Sequence, residues 1–269
     1  MNVTKAGAAV LLAMLAGAVT SAAQQPASLS ARTSTPRAAG AAAKPTIVLV
    51  HGAFADASGW QDVIPLLQEE GYKVVAVQNA LASLAGDVET TKRVIDAQTG
   101  PVVAVGHSYG GAVISGAAAG NANVTALVYI AAFAPEAGEP VDAFLKKYPS
   151  ELGGSLAPDV AGFVYIDVAK YHDVFAGDIP LRQTRAMAVA QKPIFGAIFG
   201  QSVPAAAWKT IPSWYMVAQQ DRSLNPELER FYAKRMNART TEIKSSHLPF
   251  ISHPQAVAKL IGEAAAGGR

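Results

Sequence analysis

The sequence predicts an α/β fold in which a mostly parallel central sheet is flanked by helices and carries a small helical cap. Short apolar runs of strand character alternate with amphipathic helical runs from Ile47 to Ala132, which is typical of parallel strands covered on both faces. The alternation stops at about residues 135–210, where Pro and Gly residues interrupt short amphipathic stretches. It resumes at Ser213, so we expect a cap inserted into one domain of residues 45–269.

The strands are predicted where apolar and β-branched residues run together between turn residues. They are Ile47–Val50, Lys73–Val77, Pro101–Val105, Val124–Ala132, Ser213–Ala218 and Thr240–Lys244. The helices are predicted where apolar residues recur at helical spacing. They are Trp60–Glu70, Asp87–Gln98, Tyr109–Ala119, Pro226–Met236 and Pro254–Ala265, with Asp87 as the expected N-cap of the second.

Residues 1–23 have the composition of a secretory signal peptide. Lys5 gives a positive start, residues 6–19 are uncharged and apolar, and Ser21-Ala22-Ala23 offers small residues for cleavage. Because the apolar run is shorter than the roughly 20 residues that span a bilayer, we expect cleavage and no membrane span in the mature protein. Residues 24–44 are expected to be a disordered linker. The signal implies export, to the periplasm or out of the cell.

Composition excludes several classes of protein. The chain has no cysteine, which excludes thiol catalysis, thiolate metal sites and disulfides. The formal net charge is +2 and the basic residues are scattered, so no nucleic-acid partner is expected. The histidines lack the paired spacing of a metal site, and no phosphate-binding glycine motif is present. We therefore expect neither a metal nor another cofactor.

The clearest chemical signal is the segment Gly106-His107-Ser108-Tyr109-Gly110, which directly follows an apolar strand and precedes a helical run. A serine alcohol is a weak nucleophile at neutral pH, and it needs exposure, a base and donors for the developing oxyanion. A tight strand-to-helix turn provides the exposure, and the two glycines leave room for that turn. Ser108 is therefore the predicted nucleophile, and the neighbouring His107 is expected to pack in the interior.

The oxyanion of a reacting carbonyl needs backbone donors beside the nucleophile. We predict the N–H group of Tyr109, which follows the nucleophile, and that of Ala53, in the loop after the first strand. The Phe54 N–H replaces the Ala53 N–H if this loop is shifted by one residue. His51 is interpreted as a residue that holds the loop by hydrogen bonds. Phe54 and Phe133 are predicted to bind the substrate.

A general base and its orienting acid are expected later in the chain, in the order serine, acid, histidine. His247 is the predicted base because it follows the last strand by a short loop, whereas His253 stands directly before the final helix. Asp221, which follows the strand Ser213–Ala218, is the predicted acid that holds the imidazole tautomer. Asp142, after an earlier strand, is the alternative acid.

Several other residues have weaker claims to a role at the site. Glu227 and Glu229 lie on the helix after Asp221 and are less suited to be the acid, and His172 is either a surface residue or a substrate contact. The predicted cap is rich in large apolar residues, some expected to pack on the body and others to line an acyl or alcohol pocket. They are Phe144, Leu145, Phe163, Val164, Phe175, Ile194, Phe195, Ile198 and Phe199.

Taken together, the motifs resemble the α/β-hydrolase superfamily. The resemblance rests on residues 51–60 (HGAFADASGW), Gly106–Gly111, Asp221 and Ser246-His247, and it spans about residues 45–262. Within the superfamily, the chain resembles the compact branch of small bacterial serine esterases, plant methyl esterases and hydroxynitrile lyases. The resemblance implies a helical cap after the sixth strand and a triad in the order given above.

Two positions depart from the lyases of this branch, which carry Thr after the first-strand histidine and Lys after the catalytic histidine. This chain has Gly52 and Leu248 there, which favours water as the second nucleophile. The expected function is hydrolysis of carboxylic esters of small to medium hydrophobic substrates through an acyl-enzyme. A cofactor-free haloperoxidase, a perhydrolase, a lyase and a non-catalytic module that binds small ligands stay open as alternatives, and so does the oligomeric state.

Overall fold

The computed structural model describes residues 43–267 of the 269-residue chain. The predicted signal peptide, residues 1–23, lies outside the described residues, as does nearly all of the predicted linker, residues 24–44. Cleavage and export therefore stay predictions. Among the described residues, no helix is both long and apolar enough to cross a bilayer.

Nine strands are present in the described chain. They are β1 (Thr46–Val50), β2 (Lys73–Val77), β3 (Val102–His107), β4 (Val124–Ile130), β5 (Leu156–Pro158), β6 (Phe163–Ile166), β7 (Ile194–Phe195), β8 (Ser213–Ala218) and β9 (Arg239–Ile243). Six of them form one parallel sheet in the order β2-β1-β3-β4-β8-β9. The predicted parallel sheet is confirmed, and its central strands β1 and β3 are buried along their whole length.

Eight α-helices are present in the described residues. They are α1 (Ile64–Glu69), α2 (Leu84–Asp96), α3 (Tyr109–Ala117), α4 (Tyr171–Phe175), α5 (Leu181–Ala190), α6 (Pro226–Arg235), α7 (Pro249–Ser252) and α8 (Pro254–Gly267). Of these, α1, α2, α3, α6 and α8 pack on the strands of the parallel sheet. The predicted helix Trp60–Glu70 is divided, because a separate 3₁₀ turn at Ala57–Trp60 precedes α1.

The predicted N-cap Asp87 was wrong. Ser83 caps α2, and its hydroxyl accepts the N–H of Gly86 at 3.1 Å. Asp87 lies inside the first turn and is fully buried. Its carboxylate accepts the N–H of Leu81 at 3.1 Å and the hydroxyl of Tyr109 at 2.9 Å. These bonds fix the Asp87 side chain inside the helix, although Asp is also a common N-cap residue.

The cap lies between β4 and β8, as expected, but it is only partly helical. It contains α4 and α5 together with an antiparallel sheet of β5, β6 and β7. The turn between β5 and β6 is set by Asp159, which accepts the N–H groups of Ala161 and Phe163 at 2.9 Å each. Gly162 completes it with a φ of +85°. These strands are two to four residues long, too short to show the alternation that predicts strands.

The parallel sheet determines where the chemistry is. All of its strands point the same way, so the loops that follow them meet at one edge. The loops after β1, β3, β8 and β9 carry His51, Ser108, Asp221 and His247 respectively. The predicted site residues are therefore brought to one edge of the sheet, beneath the cap.

Candidate active site

Ser108 stands at a sharp turn between β3 and α3. Its φ is +51° and its ψ is −122°, a strained conformation for a residue that is not glycine. The surroundings hold this conformation, because the Ser108 carbonyl accepts the N–H groups of Gly111 and Phe133 at 3.0 Å each, and its N–H donates to Ile130. Strain of this kind at a strand-to-helix turn is typical of an exposed nucleophile in this class of fold.

The two glycines around Ser108 are required by close backbone contacts. A Cβ on Gly106 would lie 2.5 Å from the carbonyl oxygen of Gly110, and a Cβ on Gly110 would lie 2.6 Å from the carbonyl oxygen of Val50. Real Cβ atoms do not approach backbone atoms so closely. The glycines therefore allow β3, α3 and the end of β1 to meet at the turn.

The loop after β1 lies directly against Ser108. A Cβ on Gly52 would be 2.8 Å from the Cβ of Ser108, so there is no room for a side chain at residue 52. In the described chain, neither the Ala53 N–H nor the Tyr109 N–H donates a hydrogen bond. The residue after Ala53, Phe54, has a left-handed backbone conformation with a φ of +60°. The two N–H groups that are predicted to stabilise the oxyanion therefore have no other acceptor in the described chain.

His51 holds this loop. Its Nε2 accepts the N–H of Asn79 at 3.1 Å, so its Nδ1 carries the proton and donates to the Gly52 carbonyl at 2.9 Å. Burial lowers the pKa of His51 from 6.5 to about 4. The ring is therefore neutral at neutral pH and serves the loop conformation.

Stability should fall in acid because of this histidine. The pKa of His51 is lower in the folded chain than its ordinary value, so the unfolded chain takes up the proton first as pH falls. We expect the free energy of unfolding to decrease by roughly 2 kcal/mol between pH 7 and pH 5 from His51 alone. Urea unfolding across this range measures it, and an equal slope in His51→Gln would contradict it.

His247 and Asp221 are in direct contact. The Nδ1–H of His247 donates to Asp221 Oδ2, and both side chains are buried. Asp221 Oδ1 accepts the N–H groups of Ser223 at 2.7 Å and Leu224 at 2.8 Å. This arrangement fixes the imidazole tautomer and leaves Nε2 unprotonated in the neutral ring, which is what a general base requires.

His107 packs against His247 and forms a hydrogen bond with its backbone. Its Nε2–H donates to the His247 carbonyl at 2.8 Å, and the centroids of the two rings are 4.7 Å apart. Burial, followed by the nearby His247, keeps the pKa of His107 well below its ordinary value. This contact brings the His247 loop next to the turn that carries Ser108.

One link of the predicted triad is not formed. Among the described residues, the Ser108 hydroxyl makes no hydrogen bond with His247. The acid and the base are paired, and the nucleophile stands at the adjacent turn, 6% exposed. The triad of Ser108, Asp221 and His247 therefore stays a prediction, with one of its two contacts present.

The alternative residues lie elsewhere. His253 is partly exposed, and its Nδ1 is 2.8 Å from Ser252 Oγ. His172 is in the cap, where its Nδ1 is 3.1 Å from Thr184 Oγ1. Asp142 is exposed, and its N–H donates to Phe199 within the cap. None of the three bonds to the paired His247 and Asp221 in the described chain.

Aromatic side chains cover the site. The ring of Phe175, from α4 of the cap, lies tilted 5.1 Å from the His247 ring and edge-to-face 6.1 Å from the ring of Phe54. Phe133 is buried beside the Ser108 backbone, with its ring 6.5 Å from Phe199 of the cap. The roles of Phe54 and Phe133 in substrate binding stay predictions, and the position of Phe175 above the base could not be read from its apolar character alone.

A cleft opens beside this aromatic cover. Its volume is about 690 Å³ including its open mouth. Five polar side chains line it, namely Asp56, Ser58, Gln61, Gln183 and Gln191. The large apolar side chains of its walls come from the loop after β1, the cap and the segment after His247. They are Phe54, Tyr171, Phe175, Met187, Leu248, Phe250 and Ile251. Ser108 is not among the residues that line it.

Within residues 43–267, no cluster of three His, Asp or Glu side chains is arranged to hold a metal ion.

A second buried polar contact joins Tyr109 and Asp87, where the Tyr109 hydroxyl donates to the Asp87 carboxylate at 2.9 Å. This bond connects the first residue of α3 to α2, and so it helps to hold the start of the helix that carries the predicted oxyanion donor.

Comparisons with known proteins identify the family and the fold. The profile of the Alpha/beta hydrolase family matches residues 47–260. The chain is similar to the alpha/beta hydrolase nvfD of Aspergillus novofumigatus, with 28% identity over 249 residues that cover 82% of this chain and 97% of that protein. It is also similar to the putative methylesterase 11, chloroplastic, of Arabidopsis thaliana, with 27% identity over 248 residues that cover 81% and 63% of the two chains.

A solved structure shares the fold. The pyrethroid hydrolase from Sphingobium faniae JZ-2 superimposes with a TM-score of 0.71 and 23% sequence identity, over 83% of this chain and 98% of that one. The superfamily indicated by the sequence motifs is confirmed by the profile match, which covers most of the chain. The chain belongs to the alpha/beta hydrolase family.

Proposed function

We propose that this alpha/beta hydrolase is a serine esterase that cleaves carboxylic esters of small to medium hydrophobic substrates. The observation that carries the proposal is the buried hydrogen bond between His247 Nδ1 and Asp221, which leaves the other imidazole nitrogen free to accept a proton. Ser108, at the strained turn, is the hydroxyl that this base would serve. The names of the similar proteins, a methylesterase and a pyrethroid hydrolase, support the ester class.

The proposed reaction has two steps through an acyl-enzyme. His247 Nε2 takes the proton of Ser108 as its oxygen attacks the carbonyl carbon, and the N–H groups of Ala53 and Tyr109 stabilise the resulting oxyanion. His247 then gives the proton to the leaving alcohol. Water attacks the acyl group, His247 takes the proton of that water, and the Ser108 hydroxyl is restored. Asp221 stabilises the imidazolium in both steps.

The cleft supports a hydrophobic substrate of limited size. Large apolar side chains make up much of its lining, which favours a ligand with an apolar group. Phe175 and Leu248 line it and also adjoin His247, so an apolar group held there would lie beside the base. Esters are favoured over amides because an alcohol leaves more easily than an amine.

A panel of substrates tests the proposal. The purified protein should hydrolyse short-chain and medium-chain nitrophenyl esters faster than matched anilides, and a covalent serine probe should label the peptide that contains Ser108. Parallel assays with peroxide plus carboxylate, and with a cyanohydrin, separate a perhydrolase or lyase from an esterase. Hydrolysis without labelling at Ser108 rejects the serine mechanism. Binding of the esters without any turnover supports a ligand-binding module instead.

A further inference from the structure

A second buried carboxyl group lies behind the predicted triad. Glu229 is on α6, on the face that also carries Leu228 and Tyr232, and its side chain is fully buried. Acidic side chains are rarely buried in this way without a specific partner. Glu229 has no part in the reaction steps described above, so its burial requires a separate explanation.

The contacts of Glu229 point toward the triad. Its Oε2 accepts the N–H of Ala218, the last residue of β8, at 2.9 Å. Its Oε1 is buried and has no hydrogen-bond partner within the described residues. Asp221 adjoins the same backbone, because its N–H donates to the carbonyl of Ala218 at 3.2 Å. One carboxyl oxygen of Glu229 is thus satisfied by the backbone, and the other is buried without a partner near the turn that carries Asp221.

The positive charge near the carboxyl groups of Glu229 and Asp221 is already paired with other acidic residues. The cation that acts on Glu229 is Arg230, but its guanidinium bonds to Glu227 at 2.6 Å and to Glu242 at 2.6 Å near the surface. Tyr215, which also packs here, is neutral, since burial and the two carboxyl groups raise its pKa well above the ordinary value. Two buried carboxyl groups that share a site cannot both ionise at low cost, so one of them keeps its proton.

Of the two buried carboxyl groups, Glu229 is the one that keeps its proton. Asp221 accepts the N–H groups of Ser223 and Leu224 and the Nδ1–H of His247, and each of these bonds favours the ionised form. Glu229 accepts a single N–H. Burial first, and the negative charge of Asp221 second, raise the pKa of Glu229 well above its ordinary value.

We propose that Glu229 is a positioning residue, a neutral carboxylic acid whose O–H donates a hydrogen bond to the Asp221 carboxylate and holds it against His247. This inference rests on the proposed function, because it assigns Asp221 to the triad. The hydrogen bond restricts rotation of the Asp221 carboxylate. Since Glu229 is neutral, the imidazole faces one negative charge and not two, so the base is not held in its protonated form by excess charge.

Two variants of similar length test the inference. Glu229→Gln keeps an acceptor for the Ala218 N–H and a neutral donor for Asp221, so kcat/KM for a nitrophenyl ester should stay within about threefold and the acid limb of its pH profile should not move. Glu229→Met removes both groups, so kcat should fall by roughly 10- to 100-fold with little change in KM. Thermal melts followed by circular dichroism show whether each variant is folded.

A measurement independent of activity completes the test. The infrared difference between wild type and Glu229→Gln at neutral pH should contain the carbonyl band of a protonated carboxylic acid. The inference is overturned if this band is absent, or if Glu229→Gln moves the acid limb to lower pH, which would mean that a negative charge had been removed. Unchanged kcat in a folded Glu229→Met also overturns it. Because the infrared band needs no turnover, failure of this inference is distinguishable from failure of the esterase proposal.

Discussion

Replacing Ser108 with alanine is expected to lower kcat/KM for a short-chain nitrophenyl ester by about four orders of magnitude or more. The change removes only the hydroxyl, so the strained turn, its hydrogen bonds to Gly111 and Phe133, and the oxyanion donors remain. The acyl-enzyme can then no longer form, and any residual rate comes from binding and oxyanion stabilisation. Steady-state kinetics and a thermal melt of the same preparation measure the result.

The matched control for this variant is Ser202→Ala, which removes a hydroxyl from an exposed residue of the cap. It should keep wild-type kinetics and wild-type labelling by the covalent serine probe, whereas Ser108→Ala should lose both. Turnover in a folded Ser108→Ala that stays within tenfold of wild type excludes Ser108 as the nucleophile.

Replacing His247 with glutamine should have an effect of similar size, about three orders of magnitude or more in kcat. The amide can donate a hydrogen bond to Asp221, so the buried carboxylate keeps a partner. It cannot, however, take a proton from Ser108 at neutral pH. The loss should appear in kcat more than in KM, because the base acts in the transition state.

His253→Gln is the matched control, since it makes the same change at the other late histidine. His253 is partly exposed, and its Nδ1 lies 2.8 Å from Ser252 Oγ and 3.9 Å from Asp178 Oδ2. We expect its kinetics to stay within about threefold of wild type. If His253→Gln is the inactive variant and His247→Gln is not, the base has been assigned to the wrong residue.

Much of the fold followed from local patterns. The apolar runs that predicted Ser213–Ala218 and Lys73–Val77 coincide with β8 and β2 in the structure. β8 is buried along its whole length, as expected of a strand covered on both faces, whereas the edge strand β2 is only partly buried. The pattern failed for the cap, whose strands are too short to show a period. It also failed at Asp87, because an Asp near a helix start can serve as a cap or accept tertiary hydrogen bonds, and its sequence neighbours do not distinguish the two.

The site divides in the same way. The glycines beside Ser108 could be interpreted from sequence, because the tight turn leaves no room for side chains there. The late position of His247 was interpreted from the serine-acid-histidine order of triads in this fold. The identity of Asp221 as the residue in contact with His247 depended on the distance between loops that are far apart in sequence. Glu229 was considered only as a less suitable acid, and sequence gives no sign that its carboxyl group reaches back to Ala218.

By itself, the sequence determined the order of the six strands of the parallel sheet and of the main helices between them, the sharp turn at Ser108 and the supply of a late acid and a late histidine. These depend on local sterics and on hydrophobic burial, which act between residues close in the chain. Only the tertiary structure decided which polar groups share the buried volume behind His247, how Phe175 closes over it, and that Asp221 and Glu229 are neighbours. Such contacts depend on how helices and loops pack together, and a one-dimensional pattern does not record those distances.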